Sequence, residues 1–214
     1  MNVTLPVKLL SYADIEDACR NIEGIAVQTP TLTLPSAYLN AHSTYLKCEN
    51  LQFGGSFKLR GALNAVSKLT AEQRAKGVIT YSSGNHAIAI AIASKHFHVS
   101  ATIIMPNDAP QTKVATTKSY GANIVFYDRV KGEDREVICK SIQESSGSTL
   151  IPPFNHNDVV AGQGTSAKEL FESVGPLDYL FVCVGGAGLL AGSALAASEL
   201  SPNCKVYGVE PLSG

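Results

Sequence analysis

Lys58 stands directly behind two glycines and a serine in FGGSFKLRGA (53–62), at the start of an apolar helical pattern. An amine on a helix face is ordinarily a solvated charge, and taken alone this one supports no more than that. Three other stretches change its weight. SSGNHA (82–87) follows the apolar run GVITY and opens a second helical pattern; PPFNHN (152–157) follows a short run at 149–151. GGAGLLAG (185–192) joins DYLFVCV to a segment rich in alanine and leucine. In open α/β sheets ligands gather at the carboxyl ends of strands. All four stretches fall at such an end or at a helix start.

Each carries a chemistry and a plainer alternative. GGAG presents backbone N–H groups at a helix N-terminus, an anion site that needs no side-chain charge. It lacks the lysine of a nucleotide P-loop, so a phosphate monoester suits it better than a triphosphate. A tight strand-to-helix turn would use the same glycines. Gly186, Gly188 and Ala191 also satisfy G-x-G-x-x-A, and Glu210 ends the next apolar run 22 residues after Gly188. That imitates a dinucleotide fingerprint, so an NAD-binding oxidoreductase is one alternative; it leaves Lys58 and SSGNHA without a task. SSGNHA offers two hydroxyls, an amide and backbone donors that suit a substrate carboxylate. Equally, Ser83 or Asn85 could simply cap a helix, and His86 alone reads as structural. A phosphate nest, a carboxylate nest and a lysine behind a flexible loop together match the needs of pyridoxal phosphate bound to an amino acid. The amine condenses with the aldehyde as a Schiff base, and the ring draws electrons from a Cα carbanion.

The elements that would position these residues are legible as periodicity. Apolar, β-branched runs at 77–81, 99–105, 122–127, 178–184 and 204–210 predict buried strands. Leu59, Leu63, Val66 and Leu69 share one helical face, and Thr70 with Gln73 makes a capping box. A helix over 109–122 should stop at Gly121, and another should start at Ser11 to Asp14 and end near Gly24. Alternating strand and helix predict an α/β fold with a mainly parallel sheet. Residues 77–150 are expected to form a small domain. The turn LIPPFNHND then returns the chain to a large domain made of 1–76 and 151–214.

Bulk properties exclude other classes. Seventeen basic residues against eighteen acidic ones give a net charge of −1, which argues for neither nucleic acid nor an anionic membrane as partner. Five scattered cysteines without a CxxC pair suggest neither a disulfide framework nor a zinc site. No signal peptide or membrane span is legible, and a cytoplasmic protein is expected.

GGSFKLRGALNAV, SSGNHA and VGGAGLLAG, in this order and spacing, resemble the fold-type II pyridoxal-phosphate enzymes, the serine racemases and serine/threonine dehydratases in particular. The likeness runs from about Ala13 to the last residue. It implies a tryptophan synthase beta-like fold of two parallel-sheet lobes and an ammonia-lyase or racemase. The substrate would be serine, threonine or 3-hydroxyaspartate, and the enzyme a homodimer. Lys58 would be the Schiff-base lysine and a general base, with Phe57 flanking the ring. Asn85 would bond the ring hydroxyl, while Ser82, Ser83, Asn85 and His86 would hold the substrate carboxylate. Gly185, Gly186, Ala187, Gly188 and Leu189 would present N–H groups to the phosphate. Asn155 would lie near the ring or substrate, and Glu210 with the Gly214 carbonyl would begin a site for Mg2+ or another divalent cation. Serine at position 83, where threonine-type dehydratases carry alanine, would return a proton to the carbanion in a racemase. Arg135 resembles a racemase position suited to an acidic substrate, and reads equally as a solvated helix arginine. Three departures stand out: Gly54 in place of threonine, Ala187 in place of glycine, and an end at Gly214 well short of the family's length. That last departure makes an inactive, cofactor-holding fragment a second alternative.

Overall fold

The computed structural model describes residues 9–35 and 43–212. Helix α1 (Tyr12–Ile22) starts at a capping box between Ser11 and Asp14 and buries Ile15, Ala18 and Ile22. A hairpin follows in which β1 (Thr31–Leu34) runs antiparallel to β2 (Thr44–Lys47). These four-residue strands, TLTL and TYLK, are too short and too polar to stand out as apolar runs, and no strand is expected there. Two short 3₁₀ turns lead into α2 (Lys58–Ser67), which buries Leu59, Leu63 and Val66 as its pattern predicts. α3 (Ala71–Lys76) begins at the expected Thr70–Gln73 capping box.

The chain then builds β3 (Val78–Tyr81), α4 (Asn85–His96), β4 (Ala101–Pro106), α5 (Gln111–Ser119), β5 (Asn123–Tyr127), α6 (Arg135–Ser146) and β6 (Thr149–Leu150). The four strands form a parallel sheet in the order β5-β4-β3-β6. Alternate residues leave opposite faces. Val78, Ile103 and Met105 join α2 and α4 in one core; Ile79, Ile104 and Tyr127 meet Cys139 of α6 on the other side. Burial on both faces is why these strands read as continuous apolar runs.

α7 (Asn157–Val174) is the central strut, packed against α1, α2 and α8 (Gly188–Leu200). Its glycines allow backbone contact on two sides. A Cβ on Gly162 would lie 2.6 Å from the Arg60 carbonyl oxygen of α2, and one on Gly192 of α8 would lie 2.5 Å from the Val160 carbonyl oxygen. The starts of α2, α7 and α8 are thereby drawn together. β7 (Tyr179–Cys183) and β8 (Lys205–Val209) flank α8 as a parallel pair. Leu180 and Val182 face a second core with Ile15, Leu170, Phe171 and Ala196. Among the described residues the opposite face is bare: Phe181 is 68% exposed and stacks on Tyr207 at 5.5 Å, beside exposed Tyr179 and Val209. Among the described residues no helix is long and apolar enough to cross a membrane.

Candidate active site

Lys58 is the first residue of α2, and its Nζ donates to the Pro153 carbonyl oxygen at 2.7 Å, 5.2 Å from the Phe57 ring centroid. Burial lowers its pKa below the usual lysine value, opposed only by the nearby Cys183 thiol; among the described residues no carboxylate offsets the loss of solvent. Two residues on, Arg60 is fully buried and anchors the helix. Its Nε and Nη1 reach Glu49 and Glu169 at 2.8 and 2.6 Å, Nη1 also bonds Thr165, and Lys47 completes a charge-balanced cluster with Glu169 at 2.6 Å. The lysine's helix is thus tied to both the preceding turn and α7. Gly54 is packed rather than loose: its φ is +74°, and a Cβ there would lie 2.9 Å from Ile92 of α4.

The loop 82–84 leads from β3 into α4, whose N-cap is Gly84. No side chain caps this helix, so neither Ser83 nor Asn85 is consumed as a cap and the first N–H groups stay unpaired within the helix. Ser82 Oγ accepts from the Gly84 N–H at 3.2 Å and braces the turn; Ser83 and Asn85 are exposed. The His86 imidazole points the other way. It is 2% exposed, with Nε2 3.1 Å from the Ile151 carbonyl oxygen. A carbonyl can only accept, so Nε2 carries the proton, and Nδ1 is left buried without a partner among the described residues. Burial lowers the pKa to about 4. A substrate carboxylate would therefore reach His86 through its backbone N–H, with the imidazole serving the fold as its structural reading expects.

The glycine loop 184–187 enters α8 with Ala187 as N-cap in the left-handed region (φ 60°), and again no side chain caps the helix. The first in-helix bond is Ala191 N–H to the Ala187 carbonyl, which leaves the N–H groups of Gly188, Leu189 and Leu190 without intrahelical partners. The Phe154 ring lies across this loop, where a Cβ on Gly186 would fall 2.1 Å from its Cδ1. Asn155 follows in the left-handed conformation at φ 54°, and His156 is the N-cap of α7. The segment 151–156 is thus a strap touching His86 through Ile151, Lys58 through Pro153 and the glycine loop through Phe154.

Two predicted residues lie at the margin. Arg135 opens α6 with its guanidinium 5.0 Å above the ring of Tyr81, the residue before the 82–84 loop, and is half exposed. Glu210 is exposed just beyond β8; among the described residues no cluster of three or more metal-ligating groups occurs, and Gly214 lies outside them. Four participants escape a sequence reading: Pro153 through its carbonyl, Phe154, Cys183 and Lys113. Lys113 Nζ of α5 donates to Asn85 Oδ1 at 2.6 Å. Their only sequence signal is position at a strand end or in a helix's first turn, shared by many residues without a role.

β7, the glycine loop, α8 and β8 do form the βαβ unit that a dinucleotide site requires, so local geometry leaves that alternative standing. Comparison with known proteins removes it. The family model described as pyridoxal-phosphate dependent enzyme matches residues 22–214. The chain belongs to this family. It is 55% identical to a serine racemase of Schizosaccharomyces pombe over 216 aligned residues, covering 100% of this chain and 65% of that protein. It is 56% identical to an L-threo-3-hydroxyaspartate ammonia-lyase of Saccharomyces cerevisiae, covering 95% of this chain and 63% of that one. The crystal structure of serine racemase from Dictyostelium discoideum superposes with a TM-score of 0.89 at 42% identity, covering 95% of this chain and 66% of that one. The chain thus spans about 65% of the length of such relatives, and its α/β architecture is that of the fold-type II enzymes. The residues present fit the family's cofactor: an uncapped helix N-terminus behind a glycine loop suits its phosphate, and a half-buried lysine with no carboxylate partner among the described residues suits its aldehyde.

Proposed function

We propose that the chain holds pyridoxal phosphate on Lys58 and acts on small hydroxy amino acids, as an ammonia-lyase, a racemase or both. The observation that carries this reading is the Lys58 amine, half-buried, hydrogen-bonded among the described residues to a backbone carbonyl and with its pKa lowered. Such an amine is more often neutral, and so nucleophilic, than an exposed lysine at the same pH. When bound, pyridoxal phosphate supplies an electron sink that makes the substrate Cα–H acidic. The N–H groups of the glycine loop, from Gly185 to Leu189, hold the phosphate. Phe57 flanks the ring, and Asn85 binds its hydroxyl oxygen. Ser82, Ser83, Asn85 and the His86 N–H receive the substrate carboxylate, and Asn155 lies beside it. Lys58 takes the Cα proton. Return of a proton by Ser83 gives inversion, and departure of the β-hydroxyl leads to a keto acid and ammonia.

The names of the relatives, serine racemase and L-threo-3-hydroxyaspartate ammonia-lyase, support serine and 3-hydroxyaspartate as substrates, with threonine further off. Arg135, its charge uncommitted to any strong ion pair, favours the acidic one. The sheet order, with all four strands inside 78–150, supports a small domain over 77–150 between the two parts of a large one. A divalent cation at Glu210 and Gly214, a homodimer and a cytoplasmic location complete the reading. Borohydride reduction with added pyridoxal phosphate, followed by peptide mapping, tests it. Label is expected on Lys58, and label on any other residue overturns it.

A second reading is favoured by the bare apolar face of β7 and β8. In it the chain holds the cofactor without turnover. Label on Lys58 with neither keto acid nor D-isomer formed from serine, threonine or 3-hydroxyaspartate would select it.

A further inference from the structure

The contact between Lys113 and Asn85 joins the first turns of two packed helices, α4 and α5. Lys113 is the third residue of α5, Asn85 the first of α4, and the two are 28 residues apart in sequence. Lysine has donors and no acceptor, so the end of the amide it meets at 2.6 Å is the carbonyl oxygen. The two N–H donors of Asn85 are then turned away from Lys113. An amide free to flip can meet a donor or an acceptor; this one, pinned at its oxygen, offers only donors. The ammonium also polarises the amide through that bond, which strengthens the N–H groups on its far side. An oxygen bound there is favoured when it is anionic.

We propose that Lys113 is a positioning residue that selects the donor end of Asn85 for the cofactor ring oxygen and thereby stabilises that oxygen in its deprotonated form. This rests on the reading that pyridoxal phosphate binds at Lys58 with Asn85 at its ring hydroxyl. Lys113 touches neither cofactor nor substrate; it acts through Asn85. Other titratable groups around the site are Lys58 on α2, His86 on α4, His156 before α7 and Cys183 on β7, and all are kept in the test.

The experiment compares the wild type with Lys113→Met, Lys113→Arg, Asn85→Ala and the Asn85→Ala/Lys113→Met double variant, each saturated with pyridoxal phosphate. The bound chromophore's absorbance is titrated against pH. Lys113→Met should move the midpoint upward by about 0.5–1 unit and weaken cofactor binding about three- to tenfold. Lys113→Arg should restore most of both, and Lys113→Met should add nothing once Asn85 is alanine. A Lys113→Met titration that overlays the wild type, or an equal shift in the Asn85→Ala background, overturns the role of Lys113 and leaves the cofactor reading intact. A wild type that takes up no borohydride-reducible chromophore overturns the cofactor reading itself.

Discussion

Gly186→Ala should be costly because of Phe154 and not because of the backbone. The φ of Gly186 lies outside the left-handed region, so alanine is permitted conformationally; space alone forbids it. A Cβ would stand 2.1 and 2.2 Å from Cδ1 and Cγ of Phe154, whereas ordinary contact begins at 3.4 Å. The ring must therefore retreat by about 1.3 Å or more. Phe154 is 36% exposed and its ring can yield only on its solvent side, while its backbone is braced. Two prolines precede it, Asn155 behind it is left-handed, and Pro153 holds the Lys58 amine. Forced overpacking of this kind costs about 1–3 kcal/mol. Thermal unfolding of the cofactor-free protein should show that loss for Gly186→Ala. In a Phe154→Ala background the loss should nearly vanish, a coupling of about 1–3 kcal/mol. Pyridoxal phosphate affinity, measured by absorbance titration, separates a second effect, since a methyl facing the phosphate would weaken binding in both backgrounds. Additive stability losses would show that the ring is not what demands glycine at this position.

Two further outcomes follow from single residues. The His86 pKa is lowered from 6.5 to about 4. The unfolded chain therefore binds this proton more readily, and the stability His86 contributes is full above pH 6.5 and lost as pH falls toward 4. About 3 kcal/mol of acid destabilisation should disappear in His86→Gln, read from urea unfolding between pH 4 and pH 7; an unchanged acid slope would refute the assignment. Ala187→Gly should relieve the left-handed strain at φ 60° and stabilise the protein by about 1 kcal/mol, partly offset by the greater freedom of glycine in the unfolded chain. A fall in melting temperature would contradict it.

Short-range patterns in the chain were enough for the elements and the chemistry local to them. The five apolar runs became strands and the Thr70–Gln73 box capped its helix, because periodicity and capping act within a few residues. The two glycine- and serine-rich loops landed at uncapped helix starts, since strand, turn and helix signals lie adjacent in the chain. Which groups meet is set by packing between distant segments. The His86 imidazole meets a carbonyl 65 residues away, and Lys58 rests on one 95 residues away. Arg60 is neutralised by Glu169 across 109 residues, and the Asn85 amide is oriented by Lys113. These pairings depend on how closely α2, α7 and α8 approach and on which face each strand turns inward. No single segment encodes those distances; they emerge when glycines allow backbones to touch and apolar faces close over one another.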